Sequence, residues 1–334
     1  MGPLSFIYNA ILSGRKFIFT HLKKPGRLPV RVISIGNLTL GGTGKTPAVI
    51  SVSLEAKKRG LKPIILTRGY KGSAKGPCFV SKGRGPILSV REAGDEPYLM
   101  AERLTETPIV LGKDRYRSGL FAVENLKSDQ SGIIFILDDG FQHIALNRDN
   151  DVLLIDASRP FWTEKLFPEG RLREPVSEIA RADIIVITKS DTVSIDSISE
   201  YREKIKSLNN SAKIYTAAHK PVSLVKTSGE EGSLDVLKNS RLFLFSGIAN
   251  PSYFRAIFTS TGAEITNFME FNDHHVYNQG DIDKIKRAAS GLRIITTEKD
   301  LVKLRHLQST VDISALKVEF SVEEGFYDQL FKVN

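Results

Sequence analysis

The chain contains almost no cysteine and no long hydrophobic run, and both absences limit what it can be. Cys78 is the single cysteine among 334 residues, so no disulfide can form within the chain. One free thiol fits a reducing compartment such as the cytoplasm. No run of 18 or more apolar residues is present, which predicts that no helix spans a membrane. The N-terminus lacks the basic start, apolar run and small-residue cleavage site of an export signal, so we expect none.

Acidic residues are fewer than basic ones. The chain has 47 lysines and arginines against 38 aspartates and glutamates, which gives a formal net charge of +9 at pH 7. Such a balance favours an anionic partner, whether nucleic acid, an acidic membrane or a phosphorylated substrate, but it says nothing about the fold. The hydrophobic content of 41% and the charged content of 25% are ordinary for a soluble globular protein.

The first 28 residues mix apolar and basic side chains. The apolar ones are Leu4, Phe6, Ile7, Ala10, Ile11, Leu12, Phe17, Ile18, Phe19 and Leu22, and the basic ones are Arg15, Lys16, Lys23, Lys24 and Arg27. This pattern is too interrupted to cross a bilayer, but it suits an amphipathic helix on an anionic surface. It fits a helix packed on the protein's own core almost as well, and the basic cluster favours the membrane slightly.

Short apolar runs recur through residues 29–220 at intervals that leave room for a helix or a loop. They cover residues 31–35, 63–67, 108–111, 133–137, 152–155, 184–188 and 213–216. Strands that alternate with helices predict an α/β fold with a doubly wound, mainly parallel sheet. Residues 221–334 continue the alternation with apolar runs at 241–245, 264–271 and 292–296, and we predict that they form a second, smaller α/β domain.

The stretch SIGNLTLGGTGKTP, residues 34–47, has the features of a phosphate-binding loop (P-loop). It follows an apolar run and opens a predicted helix, so backbone N–H groups and the helix N-terminus can face phosphate oxygens. Lys45 is placed to reach the β- and γ-phosphates of a nucleoside triphosphate, and the Thr46 hydroxyl to bind Mg²⁺. The predicted nucleotide-binding residues are Thr39, Leu40, Gly41, Gly42, Thr43, Gly44, Lys45 and Thr46.

The loop departs from the strict pattern G-x-x-x-x-G-K-[ST] at one position. Thr39 stands where that pattern has its first glycine. The loop resembles instead the GGxGK[ST] form, although that form often has a lysine where Leu40 stands. We therefore predict that the nucleotide binds through a variant loop.

A pair of acids supplies the second part of a nucleotide site. Asp138 and Asp139 directly follow the apolar run 133–137. The carboxyl ends of parallel strands meet at one edge of the sheet, so an acid there lies near the phosphate-binding loop. We predict that Mg²⁺ is held by Thr46, by one of these two acids, and by the nucleotide phosphates. Either acid fits the pattern.

Two classes of phosphate chemistry fit these features. One is a kinase, and the other is a GTPase or regulatory ATPase that uses hydrolysis as a switch. The letters ITKSD at residues 187–191 resemble the [NT]KxD motif with which GTP-binding proteins recognise guanine. A strand end followed by a Ser-Asp helix start gives the same letters. A kinase needs, in addition, a proton acceptor and cationic groups for the transferring phosphoryl group.

Eight motifs occur in a fixed order along the chain. They are IGNLTLGGTGKTP (35–47), RGY (68–70), GDEP (94–97), GKDR (112–115), LDDGFQH (137–143), FPEGRLREP (167–175), SGIANP (246–251) and DHH (273–275). Together they resemble the tetraacyldisaccharide 4'-kinase family, the lipid A 4'-kinases of Gram-negative bacteria. The resemblance implies a P-loop NTPase-like fold and ATP-dependent phosphorylation of the 4'-hydroxyl of a tetraacylated glucosamine disaccharide 1-phosphate.

The same resemblance implies a location. The acceptor lipid lies in the cytoplasmic leaflet of the inner membrane, so we expect a peripheral protein on the cytoplasmic face, with residues 1–28 on its anionic surface. This membrane accounts for the basic charge, and nucleic acid is not expected as a partner. Residues 29–220 are then the kinase core, and residues 221–334 are expected to close on its active site.

The resemblance also implies which residues transfer the proton. In the family the aspartate of the GDEP motif is the general base, and it pairs with the histidine of the DH motif. These positions are Asp95 and His274 in this chain, and local sequence alone does not separate His274 from His275. A sugar hydroxyl is a poor nucleophile, so a positioned carboxylate that accepts its proton is the expected device.

Cationic residues complete the expected site. Lys45 is expected to act on the transferring phosphoryl group. Arg115, Arg171 and Arg173 are candidates for the charge of the transition state or for the 1-phosphate of the lipid, since the planar arginine fork binds two phosphate oxygens at once. The letters TEKD at residues 297–300 also look typical of the family, but they suggest no mechanistic role.

Overall fold

The computed structural model describes residues 2–126, 131–305, 307 and 311–332. The α-helices in these ranges are α1 (Pro3–Phe17), α2 (Lys45–Lys58), α3 (Val90–Ala93), α4 (Asp95–Arg103), α5 (Arg115–Leu126), α6 (Ile195–Leu208), α7 (Pro251–Ile257), α8 (Gln279–Ala289), α9 (Glu298–Leu304) and α10 (Phe326–Phe331). The strands are β1 (Arg31–Asn37), β2 (Lys62–Thr67), β3 (Cys78–Lys82), β4 (Pro108–Leu111), β5 (Ile133–Asp138), β6 (Asn150–Asp156), β7 (Ile184–Thr188), β8 (Lys213–Lys226), β9 (Glu231–Gly232), β10 (Arg241–Ser246), β11 (Glu264–Glu270), β12 (Arg293–Thr297) and β13 (Ile313–Val322).

The strands form one continuous sheet. Their order is β11-β10-β12-β13-β8-β7-β6-β1-β5-β2-β4-β3, and β9 pairs with β8. Neighbouring strands run parallel except in the pairs β3–β4, β8–β13 and β8–β9. The prediction of a mainly parallel, doubly wound P-loop fold is therefore confirmed.

The two halves of the chain meet at the antiparallel pair β8–β13. β8 is longer than the predicted strand at 213–216, and it runs through the position at which we placed a boundary, between residues 220 and 221. Pro221 pairs with Val318 next to a shift in register, which accommodates a proline inside the strand. The strands of residues 241–322 thus extend the sheet of the first half.

Apolar side chains cover both faces of the sheet. On one face, Ile33 and Ile35 of β1 pack with Val49 and Val52 of α2. On the opposite face, Val32 of the same strand is buried in the cluster that α5 covers. Because both faces are buried, the central strands are nearly continuous apolar runs, which is the pattern that made them recognisable in the sequence.

The ends of four parallel strands gather polar residues at one edge of the sheet. β1 ends at Asn37 and leads into the phosphate-binding loop, while β5 ends at Asp138. Arg68 follows β2, and Lys189 follows β7. Since these strands are mutually parallel, all four sets of residues lie at their carboxyl ends, where doubly wound folds bind ligands.

Candidate active site

A cleft of about 1000 Å³ opens at this edge, between the two halves of the chain. Residues 40–46 of the predicted nucleotide site line it, and Thr39 does not. The other predicted site residues that line it are Asp95, Arg115, Asp138, Asp139, Arg173 and His274. The structure therefore brings together, in one cavity, side chains that are up to 234 positions apart in the sequence, from Leu40 to His274.

The phosphate-binding loop needs glycine at two positions. Gly41 and Gly44 have φ angles of 115° and 88°, which residues with a side chain rarely adopt. A Cβ on Gly44 would also lie 2.7 Å from Nε2 of the buried His219, so a larger residue there would have to displace this ring. α2 begins at Lys45, directly after the loop, and its N-terminus faces the space that the loop encloses.

Thr39 and Leu40 pair with a second segment of the chain. Thr39 forms an antiparallel bridge with Leu172, and the Leu40 N–H donates to the Arg171 carbonyl at 2.7 Å. The Arg171 guanidinium in turn donates to the Leu40 carbonyl from Nε at 3.1 Å and from Nη2 at 2.6 Å. Extended backbone is needed at position 39 for this pairing. Arg171 therefore holds the loop through the backbone of Leu40, and its side chain does not line the cleft.

Thr46 and Asp138 present two polar atoms without a partner. Asp138 is buried; its Oδ2 accepts a hydrogen bond from Thr67 at 2.8 Å, while its Oδ1 has no partner among the described residues. The buried Oγ1 of Thr46 is also unpaired in the described part of the chain. Burial, together with the charges of Glu96 and Asp139, raises the pKa of Asp138 to about 6. A hydroxyl and a carboxylate oxygen left free at the loop are donors of the kind that Mg²⁺ accepts.

Asp139 has different neighbours. Both of its carboxylate oxygens accept from Nη1 of Arg173 at 2.8 Å, and Nζ of Lys45 lies 3.4 Å away. Burial alone would raise the pKa of Asp139, but these two cations outweigh it and hold the pKa at about 2. The Asp139 carboxylate is therefore paired with Arg173 and Lys45, whereas Asp138 has an unpaired carboxylate oxygen that can bind a metal ion.

Asp95 and His274 are in direct contact across the cleft. Nδ1 of His274 lies 2.9 Å from Oδ2 and 3.1 Å from Oδ1 of Asp95, and the Glu96 N–H donates to Oδ1 at 2.9 Å. Asp95 is only 7% exposed. Burial works to raise its pKa, but the histidine contact and the Lys299 charge lower it to about 2, so the carboxylate is ionised. Its hydrogen bond with Asp95 raises the pKa of His274.

The neighbouring histidine has a separate set of contacts. Nε2 of His275 lies 3.0 Å from Oδ2 of Asp281 at the start of α8. Its ring also packs against those of Phe271 and Tyr277, with centroids 4.7 and 4.9 Å away. Geometry thus separates the two histidines that the sequence left equivalent, and only His274 reaches Asp95.

Arg115 lies deeper than the other arginines of the site. It is 4% exposed, and its Nη1 donates to the Lys113 carbonyl at 3.1 Å. Its Nε has no partner among the described residues. Burial lowers the pKa of Arg115, and the charges of Asp138 and Asp139 act against that shift. Arg115 therefore adds positive charge behind the two acids.

A cluster beside the loop was not identified from the sequence as part of the site. Lys189, in the TKSD letters, forms an ion pair with Asp156, and its ammonium lies 5.1 Å from the centre of the Tyr253 ring. The Tyr253 hydroxyl donates to Asp191 at 3.3 Å and lies 3.1 Å from Nδ1 of His219. In the sequence only the TKSD letters, which contain Lys189 and Asp191, indicated this cluster. Asp156, His219 and Tyr253 lie in strands and a helix outside any recognised motif.

The chain is similar to a family of kinases along its whole length. The whole chain, residues 1–334, matches the family model described as LpxK, tetraacyldisaccharide-1-P 4'-kinase. The tetraacyldisaccharide 4'-kinase of Halothermothrix orenii is 36% identical over 345 residues, which cover 97% of this chain and 88% of that protein. The corresponding protein of Aquifex aeolicus is 33% identical over 332 residues, covering 99% of this chain and 97% of that one.

A solved structure agrees with these relatives. The crystal structure of the "apo" form of LpxK from Aquifex aeolicus in complex with ATP matches with a TM-score of 0.77 and 34% identity. The match covers 98% of this chain and 95% of that chain. Similarity in sequence and in fold over nearly the full length leads to one conclusion: the chain belongs to the tetraacyldisaccharide-1-P 4'-kinase family.

Proposed function

We propose that the protein transfers the γ-phosphoryl group of ATP to the 4'-hydroxyl of a tetraacylated glucosamine disaccharide 1-phosphate in lipid A biosynthesis. One observation carries the proposal: the Asp95–His274 pair lines the same cleft as Lys45 and Thr46 of the phosphate-binding loop. A hydrolytic switch has no need of a buried carboxylate held by a histidine at this place. The family of the chain and the ATP complex of the Aquifex aeolicus relative support the same activity.

The loop and its acids account for nucleotide binding. Backbone N–H groups of residues 41–46 and the N-terminus of α2 bind the phosphates, and Lys45 donates to the β- and γ-phosphates. The Thr46 hydroxyl and the free Oδ1 of Asp138 fit Mg²⁺, which supplies positive charge against the phosphates when it is bound. Asp139, through its contacts with Lys45 and Arg173, holds both cations at the transferring group.

Asp95 and His274 account for the activation of the acceptor. The ionised Asp95 accepts the proton of the sugar 4'-hydroxyl as the oxygen attacks the γ-phosphorus. His274 fixes the orientation of the carboxylate through its Nδ1, in the manner of a base and its orienting group. Because His274 belongs to the second half of the chain and Asp95 to the first, this pair exists only when the two halves enclose the cleft.

Helix α1 presents its apolar side to solvent, and its polar side contacts the protein. The Ser5 hydroxyl, buried, donates to the Leu166 carbonyl at 2.7 Å, and the Tyr8 hydroxyl donates to the Arg173 carbonyl at 3.0 Å. The exposed apolar side chains on the helix and the turn after it are Leu4, Phe6, Ile7, Ile11, Phe17, Ile18 and Leu22. A helix packed on the core of its own protein would show the reverse arrangement.

We propose that this apolar side inserts into the cytoplasmic surface of the inner membrane. In the part of the chain that the structure describes, no helix has the length and apolar character needed to cross a bilayer. An interfacial helix with nearby Arg15 and Lys16 suits an anionic membrane surface instead. Tyr8, Leu12 and Arg15 also line the cleft, so insertion of α1 brings the mouth of the cleft to the lipid headgroups.

The activity is tested with purified protein, Mg-ATP labelled at the γ-phosphate, and the acceptor lipid. We expect label in the lipid, and we expect Asp95→Ala to remove most of the rate. Rapid phosphate release without any lipid, unaffected by Asp95→Ala, would favour a hydrolytic switch. Tight selectivity for GTP that Asp191→Ala abolishes would support the GTPase alternative, although the Asp191 carboxylate contacts Tyr253 in this structure.

A further inference from the structure

Helices α4 and α9 come from different halves of the chain and meet along a row of opposite charges. α4 carries Asp95 at its first position, and the TEKD letters, for which we predicted no role, form the N-cap and first residues of α9. Ion pairs between the two helices join Glu96 to Lys299 and Arg103 to Glu298. Glu102 of α4 also pairs with Arg305, which directly follows α9. Nη1 of Arg103 binds both carboxylate oxygens of Glu298, at 2.8 and 2.9 Å.

Lys299 acts on the Asp95 side of this contact. Its ammonium pairs with Glu96, the residue whose backbone N–H binds the Asp95 carboxylate. The positive charge of Lys299 also helps to hold the pKa of Asp95 below its ordinary value. One turn further along α9, Nζ of Lys303 lies 4.0 Å from Oδ2 of Asp95. The charged groups that face Asp95 are thus His274, Lys299, Lys303 and the partner carboxylate of Glu96.

Asp300 acts on the His274 side. It is fully buried and accepts hydrogen bonds from the Gly247 N–H and from the Tyr277 hydroxyl, both at 3.0 Å. The Gly247 carbonyl accepts from the His274 N–H, also at 3.0 Å. His274 has a φ angle of 60°, a conformation that needs such support in a residue with a side chain. Lys299 and Asp300, consecutive residues of the TEKD letters, therefore hold Asp95 and His274 in place, respectively.

We propose that Lys299 is a positioning residue for phosphoryl transfer, and that the start of α9 holds Asp95 and His274 in contact when the two halves close. Lys299 holds α4 through Glu96, while Asp300 holds the loop that bears His274. Lys299 also lines the cleft, but in this role it acts through Glu96 and Asp95 and not on the reacting atoms. The inference rests on the proposed function of Asp95 as the proton acceptor.

The test compares Lys299→Met, which keeps the stem and removes the charge, with Lys299→Arg, which keeps the charge. We expect Lys299→Met to lower kcat by about 10- to 100-fold with KM for ATP changed less than about twofold, and Lys299→Arg to recover most of kcat. Lys238→Met is the matched control, since Lys238 also pairs with a carboxylate, that of Asp235, but on the exposed surface. It should leave all parameters unchanged.

A double variant separates positioning from a general structural effect. If Lys299 acts through the Asp95–His274 pair, Lys299→Met combined with His274→Ala should lose no more than about threefold beyond His274→Ala alone. The proposal would be overturned if the losses in kcat of the two single variants multiplied in the double variant. A wild-type kcat in Lys299→Met, or a raised KM for ATP as its main effect, would also overturn it. Lys299→Gln is judged by the same criteria if the methionine variant does not fold. An Asp95→Ala enzyme that keeps its rate would instead overturn the underlying function.

Discussion

The proposed binding of α1 to the membrane can be tested without disturbing the fold, because the apolar side of the helix faces solvent. Phe6 and Ile11 are 67% and 64% exposed. Replacing both with serine removes apolar surface from solvent and leaves the polar contacts of Ser5 and Tyr8 with the rest of the protein intact. Thermal unfolding of the Phe6→Ser/Ile11→Ser variant should therefore be close to that of the wild type.

The size of the effect follows from the exposed area. Complete burial of a large apolar side chain is worth about 1.5–3 kcal/mol. About two-thirds of each of the two side chains is exposed, so burial in the membrane should release about two-thirds of this free energy for each. Both side chains together should then contribute about 3 kcal/mol to membrane binding. At 1.4 kcal/mol for each factor of ten, this corresponds to roughly a hundredfold weaker binding to vesicles.

Co-sedimentation with vesicles of anionic phospholipid measures this difference. The matched control is Ile195→Ser with Val276→Ser, because those two residues are 85% and 80% exposed and lie far from α1 in the sequence. The control variant should bind like the wild type. Equal binding by the α1 variant and the wild type, or an equal loss in the control, would refute the assignment of α1 to the membrane surface.

Two further predictions concern the metal and the pH dependence. Asp138→Asn removes the free carboxylate beside Thr46 and should weaken Mg²⁺-dependent nucleotide binding at least about tenfold in calorimetric titrations; unchanged binding would contradict the metal assignment. Burial, with the nearby Lys189 charge, lowers the pKa of His219 to about 4. The unfolded chain takes up a proton at this residue below about pH 6.5, while the folded protein does so only near pH 4. His219 therefore does not lower the free energy of unfolding above about pH 6.5. As the pH falls from about 6.5 to about 4, the free energy of unfolding decreases by about 1.4 kcal/mol per pH unit because of this residue. His219→Gln should show a shallower fall in the free energy of unfolding over that range in urea titrations, and slopes equal to those of the wild type would argue against a buried neutral histidine.

Local patterns were enough to predict most of the sheet. The strand before the phosphate-binding loop, the helix 45–58 and the acids at the end of β5 all depend on residues close together in sequence. The prediction ended this strand at residue 216 and placed a domain boundary before Pro221. The strand continues because β13 supplies an antiparallel partner, and this long-range pairing leaves no local periodicity in the sequence.

The site was predictable in its parts and less so in its contacts. Asp95 lies at the start of α4, and only the family resemblance suggested its partnership with His274, 179 residues away. Arg171 and Arg173 look equivalent in the sequence. The structure separates them, because Arg171 binds the Leu40 carbonyl and Arg173 binds Asp139 in the cleft. Such differences arise from the direction of each side chain in the folded protein, which the order of residues does not specify.

In the proposed reaction Asp95 accepts the proton of the acceptor hydroxyl, in a cleft that binds ATP independently of this carboxylate. Single-turnover transfer from γ-labelled ATP to the acceptor lipid, measured for Asp95→Asn beside the affinity for ATP, tests this most directly. We expect a rate reduced by at least about a hundredfold, with the ATP affinity unchanged. A rate close to that of the wild type, or a loss explained by weaker ATP binding, would contradict it.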